Sequence, residues 1–278
     1  MLVPFLIMLR EGIEAALIVG IIAGYLKQSG RGGWMPAVWI GIFLAAALSL
    51  FVGAALEWAS AEFPQKTQEL FEAIVGLLAV AVLTSMVFWM RKVARSIAAG
   101  LRSSVDAAFA GGRGRGLALI GMVFFAVARE GLESVFFLLA TFQQNVGMAA
   151  PVGALLGLAL AVVLGWAIYM GGARLNLRLF FKWTGFFILL VAAGILAGSI
   201  RSLHEAGLWN YGQGVVFDLS AVLPVDSVFG AVFAGVFGYN DAPTASEAIA
   251  YVGFLAVSSM LFWAPLRHMK PASLSTGI

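Results

Sequence analysis

Seven apolar stretches divide this sequence, at roughly residues 3–26, 35–57, 69–90, 117–141, 151–172, 180–201 and 247–266. Each is close to the ~20 residues that a helix needs to cross a hydrocarbon core. A helix satisfies its own backbone hydrogen bonds, so stretches of this kind have little alternative to spanning the bilayer. Composition agrees: 62% of the 278 residues are hydrophobic and 11% are charged. Soluble domains run near half apolar and about a quarter charged. The chain therefore reads as an all-α integral membrane protein, with residues 1–278 forming a single transmembrane domain. It contains no cysteine, which excludes disulfides, iron–sulfur clusters and thiolate-held metals. The first stretch does not read as a signal peptide, because it lacks a basic leader and is interrupted by Arg10, Glu11 and Glu14.

Charge between the stretches sets an orientation. Lys27, Arg31, Arg91, Lys92, Arg95, Arg102, Arg113, Arg115, Arg174, Arg178, Lys182, Arg267 and Lys270 all fall on one side, and they are 13 of the 17 basic residues. The other side carries Lys66 and Arg201 with most of the acids, among them Glu57, Glu62, Glu69, Glu72, Glu205, Asp218, Asp226, Asp241 and Glu247. Basic residues stay cytoplasmic, so the N-terminus is expected outside and the C-terminus in the cytoplasm. The net charge of +3 sits in short loops and points to lipid headgroups, with no nucleic-acid partner expected.

One pentapeptide occurs twice inside these stretches: Arg10-Glu11-Gly12-Ile13-Glu14 and Arg129-Glu130-Gly131-Leu132-Glu133. The first lies in an inward-running span and the second in an outward-running one. The spacing predicts two inverted three-helix repeats, 1–90 and 117–201, followed by an outer loop at 202–246 and a seventh span at 247–266. A weaker echo joins Leu70-Phe71-Glu72 and Gly76 to Phe180-Phe181-Lys182 and Gly185. Inverted repeats are a common transporter plan, with the substrate site between the halves near the midplane.

Ionisable groups at that depth are costly, roughly 2.5–3.5 kcal/mol each on insertion scales, and usually mark a pathway or a site. On a helix Glu11 and Glu14 share a face, and Arg10 neighbours Glu14; the second copy repeats this with Glu130, Glu133 and Arg129. Gly12 and Gly131 remove a side chain beside the charges and let a second helix approach. Brought together, four carboxylates and two guanidiniums leave two net negative charges, which call for protons or a cation. Oxygen donors without His or Cys suit a hard cation or iron and disfavour zinc or copper(I). The plainer alternative is a structural salt bridge in each copy, Arg10 with Glu14 and Arg129 with Glu133.

Glu69 and Glu72 form a second Glu-x-x-Glu pair at the outer end of the third span, where they either pass a cation inward or oppose the helix dipole. Asp241 and Glu247 flank the last span and suit an acidic outer mouth. His204-Glu205 is a lone outer pair that either touches metal or, the favoured reading, is ordinary loop. Segment 91–116, ending in Gly111-Gly112-Arg113-Gly114-Arg115-Gly116, reads as a flexible basic linker, and 228–239 as an interfacial or re-entrant piece too short to span.

At these residues the chain resembles the oxidase-dependent iron transporter family, the fungal high-affinity iron permeases and their bacterial relatives. The two pentapeptides correspond to the family's two Arg-Glu-Gly-Leu-Glu motifs, with Ile13 for Leu in the first. Glu69-Leu70-Phe71-Glu72 resembles its Glu-x-x-Glu motif, and Thr244-Ala245-Ser246-Glu247 an outer acidic motif, with Thr244 where an Asp is usual. The likeness is to the short bacterial form, with no extended soluble iron-binding domain ahead of the first span. It implies iron transport through the cytoplasmic membrane, with Glu11, Glu14, Glu130, Glu133, Glu69 and Glu72 as metal ligands and Arg10 and Arg129 in support. It also implies a periplasmic or extracellular partner that oxidises or delivers iron. Iron is cargo, no cofactor is permanently bound, and the chain is not an enzyme. The alternatives are a transporter of another divalent metal, such as manganese or lead, and an intramembrane carboxylate enzyme, which the inverted duplication disfavours.

Overall fold

The computed structural model describes residues 2–61, 64–93, 97–110, 114–144, 149–169, 177–225 and 227–264. Among them the chain forms nine α-helices: α1 (Leu2–Gln28), α2 (Met35–Ala61), α3 (Gln65–Val93), α4 (Ile97–Ala110), α5 (Arg115–Gln144), α6 (Ala149–Tyr169), α7 (Leu177–Glu205), α8 (Val228–Phe237) and α9 (Ala245–Trp263). Pro36 and Pro151 sit in the first turns of α2 and α6, where the missing N–H costs nothing. Of the basic residues expected on the cytoplasmic side, Arg95, Arg113, Arg174, Arg267 and Lys270 lie outside the described residues, as do Gly111 and Gly112 of the Gly111–Gly116 run.

Five helices, α2, α3, α6, α7 and α9, are both long and apolar enough to cross a membrane. The expected first and fourth spans correspond to α1 and α5, which have 27 and 30 residues and so reach about 40 Å or more. They differ from the five in carrying the charged pentapeptides at mid-length.

Segment 91–116 is more ordered than its glycines suggest. It contains α4, whose Leu101, Val105 and Phe109 recur every four residues and pack into a core with Ile22 and Leu26 of α1 and Leu119 and Val123 of α5. A polar clasp fixes the same helix. The Tyr25 hydroxyl donates to Asp106 at 2.6 Å, Arg31 donates to Asp106 at 2.9 Å, and the Arg31 guanidinium lies 4.5 Å above the Phe109 ring. The Tyr25 hydrogen bond, with Arg31 behind it, holds the Asp106 carboxyl below the usual carboxylate range.

The expected short piece at 228–239 is α8. Ser227 caps its start by accepting from Gly230 N–H, and Gly238 ends it at φ 66°, a left-handed conformation that glycine takes without steric cost. Gly238 also packs on the backbone of α7, where a Cβ on Gly194 would stand 2.7 Å from Gly238 Cα.

Helix pairing decides where the pentapeptides end up. α1 packs along α6, α2 along α5 and α3 along α7, while α9 lies against α7; α1 and α3 both also touch α5. In a bilayer, small residues set how closely helices approach. A Cβ on Gly12 would lie 2.5 Å from Ala161 Cβ of α6, and one on Gly131 would collide with Ser49 Oγ of α2. The motif glycines thus seat α1 and α5 against their partners and turn the remaining faces toward each other. The largest core cluster, including Ile7, Leu83, Phe137 and Ile195, lies among α1, α3, α5 and α7.

Gly12→Ala should therefore destabilise the protein by about 1–3 kcal/mol, the usual cost of overpacking. Ala161→Gly in the same chain should recover most of the loss, read as the thermal unfolding midpoint of the purified protein.

Candidate functional site

Both pentapeptides sit near the middle of their helices, and their side chains meet. Carboxylate oxygens of Glu11, Glu14 and Glu130 all lie within 4.8 Å of one another. Arg10 and Glu11 are 1% exposed, and Glu14 and Glu130 are 7% exposed. The 3.6-residue period puts Glu11 and Glu14 on one face of α1, and the α1–α5 contact brings Glu130 to that face.

Arg10 is held from three directions. It donates to Glu11 Oε1 at 2.8 Å, lies 2.9 Å from Glu14 Oε1, and donates to the thioether of Met86 on α3 at 3.1 Å. The Glu14 contact is a charge contact outside hydrogen-bond alignment, which leaves that oxygen without a directed donor. With all three carboxylates ionised, the one guanidinium facing them leaves two net negative charges in the cluster.

The second copy is built differently. Arg129 donates through Nε to Glu133 at 2.9 Å, is 49% exposed, and stacks 4.7 Å above the Trp89 ring of α3. No ion pair joins Arg129 to Glu130 among the described residues; Glu130 faces the acids of α1 instead. One oxygen each of Glu11, Glu14, Glu130 and Glu133 is buried without a hydrogen-bond partner. Unmet buried acceptors of this kind cost about 1–3 kcal/mol each, more for charged groups. A cation bound among them would meet several at once. The salt bridges weighed for each copy exist, yet they do not use up the carboxylates.

The remaining expected residues lie outward. Glu72 of α3 lines a cavity of about 270 Å³ with Arg201 and Glu205 of α7, Tyr239, Asn240 and Glu247. Glu69 stands against Glu205. Glu247 is 3% exposed and fully engaged: Arg201 and Asn240 donate to Oε2 at 3.2 and 3.0 Å, and the Thr244 hydroxyl donates to Oε1 at 3.0 Å. Thr244 is also the N-cap of α9, so Thr244-x-x-Glu247 is a capping box with its carboxylate turned to the loop. Asp241 accepts from Val225 N–H at 3.1 Å and ties the outer loop together. It is not among the residues lining the cavity.

Two contributors escaped the sequence reading, and two more were read only as charges on the outer side. Met86 and Trp89 are three residues apart on α3, so one face of one helix serves both arginines. Arg201 closes the expected span and Glu205 ends the extra turn by which α7 outruns it, so His204-Glu205 is helix and not loop; Gly198, Arg201, Ser202 and Glu205 share the i, i+3, i+4, i+7 spacing of one face.

Comparison with known proteins places this geometry in a wider group. Residues 1–275 match the model of the Iron permease FTR1 family. A protein of Yersinia pestis named ferrous iron permease EfeU is 57% identical over 275 residues, covering 99% of this chain and 98% of that one. A protein of Escherichia coli O157:H7 with the same name is 58% identical over 275 residues, covering 99% of this chain and all of that one. No solved structure matches the chain.

The two arginines should respond differently to the same change. Arg10→Lys replaces a guanidinium that reaches two carboxylates and a thioether with a single ammonium, and should lower the unfolding midpoint clearly. Arg129→Lys, at a half-exposed guanidinium that meets one carboxylate and one ring, should shift it by less than half as much. Removing the Arg10 charge altogether, as Arg10→Met, should cost about 3–5 kcal/mol by stranding buried carboxylates.

Proposed function

The chain belongs to the Iron permease FTR1 family, and from that premise we propose that it carries ferrous iron into the cell across the cytoplasmic membrane through the carboxylate cluster of Glu11, Glu14 and Glu130. The single observation that carries the reading is Glu130. It is a buried carboxylate without an arginine of its own, turned from α5 onto two carboxylates of α1. Three converging oxygen donors suit a hard or borderline divalent cation, and the two unbalanced charges favour one thermodynamically. Glu133, whose free oxygen is buried close by on the same helix, completes the set. Arg10 keeps the empty cluster from excessive repulsion and fixes where the carboxylates stand.

Seven spans form the membrane domain, the five apolar helices together with α1 and α5. They divide into inverted halves, α1–α3 and α5–α7, with α9 added. The contacts support this division. Exchanging α1 with α5 and α2 with α6 turns the α1–α6 pair into the α5–α2 pair, and each motif glycine meets the second helix of the opposite half. The N-terminus lies outside and the C-terminus in the cytoplasm, as the distribution of Lys and Arg favours. Iron arrives by way of Glu69 and Glu72 at the outer end of α3, with Asp241 and Glu247 shaping the mouth. A periplasmic iron-oxidising or iron-delivering protein meets the outer loop, where Trp209, Tyr211 and Val222 stand exposed.

Proteoliposomes containing only this chain should take up ferrous iron. Glu14→Gln and Glu130→Gln should each cut the uptake at least tenfold at unchanged protein content. Full uptake by both variants would remove the cluster from the path. Manganese or lead uptake equal to that of iron would transfer the reading to a broader divalent-metal carrier.

A further inference from the structure

One polar compartment lies toward the outer end of the helices and another at their middle, and a buried apolar cluster lies between them. The upper one is the cavity of about 270 Å³ whose lining includes Glu72 and Gly76 of α3, Ala140 of α5, and Ser199 and Ser202 of α7. The lower one is the carboxylate cluster. α3 and α5 run from one to the other, α1 borders the cluster and α7 borders the cavity, and each of the four contributes a large apolar side chain to one buried cluster at the seam. On α1, Ile7 is one turn outward of Glu11. On α3, Leu83 lies between Gly76 and Met86. On α5, Phe137 is one turn from Glu133 and one turn from Ala140. On α7, Ile195 is one turn inward of Ser199. Ile7, Leu83, Phe137 and Ile195 are 1%, 0%, 0% and 2% exposed and belong to one contiguous cluster. Seven residues of α5 separate Glu133 from Ala140, about 10 Å along the axis.

We infer that the outer permeation route runs from this cavity to the carboxylate cluster through the seam of α1, α3, α5 and α7, and that the Phe137 ring is its barrier. Constrictions lined only by hydrocarbon empty of water and block ions without a physical plug. A hydrated cation that reaches the cavity floor therefore finds no continuous water column to Glu130. Phe137 stands centrally because it occupies the same face of α5 as Glu133 below and Ala140 above, at a spacing of four and three residues. Its ring is also the largest of the four side chains. Turning it aside opens the seam while leaving the helices in place. The inference rests on the proposed role of the carboxylate cluster, and the experiment below reads water access, which does not depend on the cargo.

The chain has no cysteine, so a single introduced thiol reports without background. Two reporters suffice: Ser202→Cys in the cavity, and Glu130→Cys below the layer, which leaves the Arg10 contacts intact. Full-length protein in proteoliposomes is exposed from the outer side to a small, charged methanethiosulfonate reagent. Ser202→Cys should react at least tenfold faster than Glu130→Cys. Adding Phe137→Ala should raise the Glu130→Cys rate at least tenfold, with Phe137→Leu in between. Equal rates for the two reporters, or a Glu130→Cys rate indifferent to Phe137→Ala, would overturn the inference. Should Phe137→Ala fail to fold, Ile7→Ala replaces it with the same expectation and the same failing result. If the thiol pattern holds while the parent chain moves no iron, the barrier stands and the iron reading falls. If iron moves and the pattern fails, only the barrier falls.

Discussion

A guanidinium buried to within 1% of full enclosure is the constraint around which this molecule is organised. Arg10 is tolerable only because Glu11 and Glu14 sit at 2.8 and 2.9 Å and Met86 fills a third side. Those acids in turn are tolerable only because Arg10 is there. Buried ions demand this kind of mutual accounting: the desolvation cost of each is several kcal/mol, and a lost partner leaves it uncompensated. α1, α3 and α5 are thereby committed to one arrangement at mid-depth. The commitment stops short of neutrality, since Glu130 brings a further carboxylate and no cation of its own. With all the acids ionised, the surplus leaves the centre of the protein net negative.

The two copies of the pentapeptide have diverged in use while keeping their sequence. In α1 the arginine is enclosed and serves both acids. In α5 it leans outward over Trp89, serves Glu133 alone and releases Glu130 toward the other helix. A symmetrical arrangement, with each arginine satisfied by its own pair, would leave no carboxylate without a cation partner. The difference traces to α3, which offers a thioether to one arginine and an aromatic face to the other.

Much of this was legible in the sequence, for identifiable reasons. Helix periodicity alone puts Glu11 and Glu14 on one face and makes room at Gly12, so the local half of the site follows from spacing. Its convergence with Glu130 depends on how α1 meets α5, which the repeated motif hints at and only packing determines. Met86 and Trp89 were invisible because apolar residues in an apolar helix carry no mark of their neighbours. α4 was overlooked for the opposite reason: basic and glycine residues around it masked the Leu101, Val105 and Phe109 stripe. Glu205 fell beyond the expected end of the sixth span, since α7 keeps its helical geometry after its hydropathy has faded. Glu247 looked like an available acid, and only the fold shows that Arg201, Asn240 and Thr244 have already claimed it.

The interlocking of helices by bare backbone has a mechanical corollary. Gly12 nests on Ala161, and Gly157 of α6 returns the contact, with its Cβ position only 3.1 Å from Leu9 N. α1 and α6 are thus keyed together like two planks, and Gly131 against Ser49 keys α5 to α2 in the same manner. Keyed planks do not slide; they tilt as one piece. Glu11 and Glu14 ride on one plank and Glu130 on the other, so any rocking of the two against each other changes the spacing of the three carboxylates.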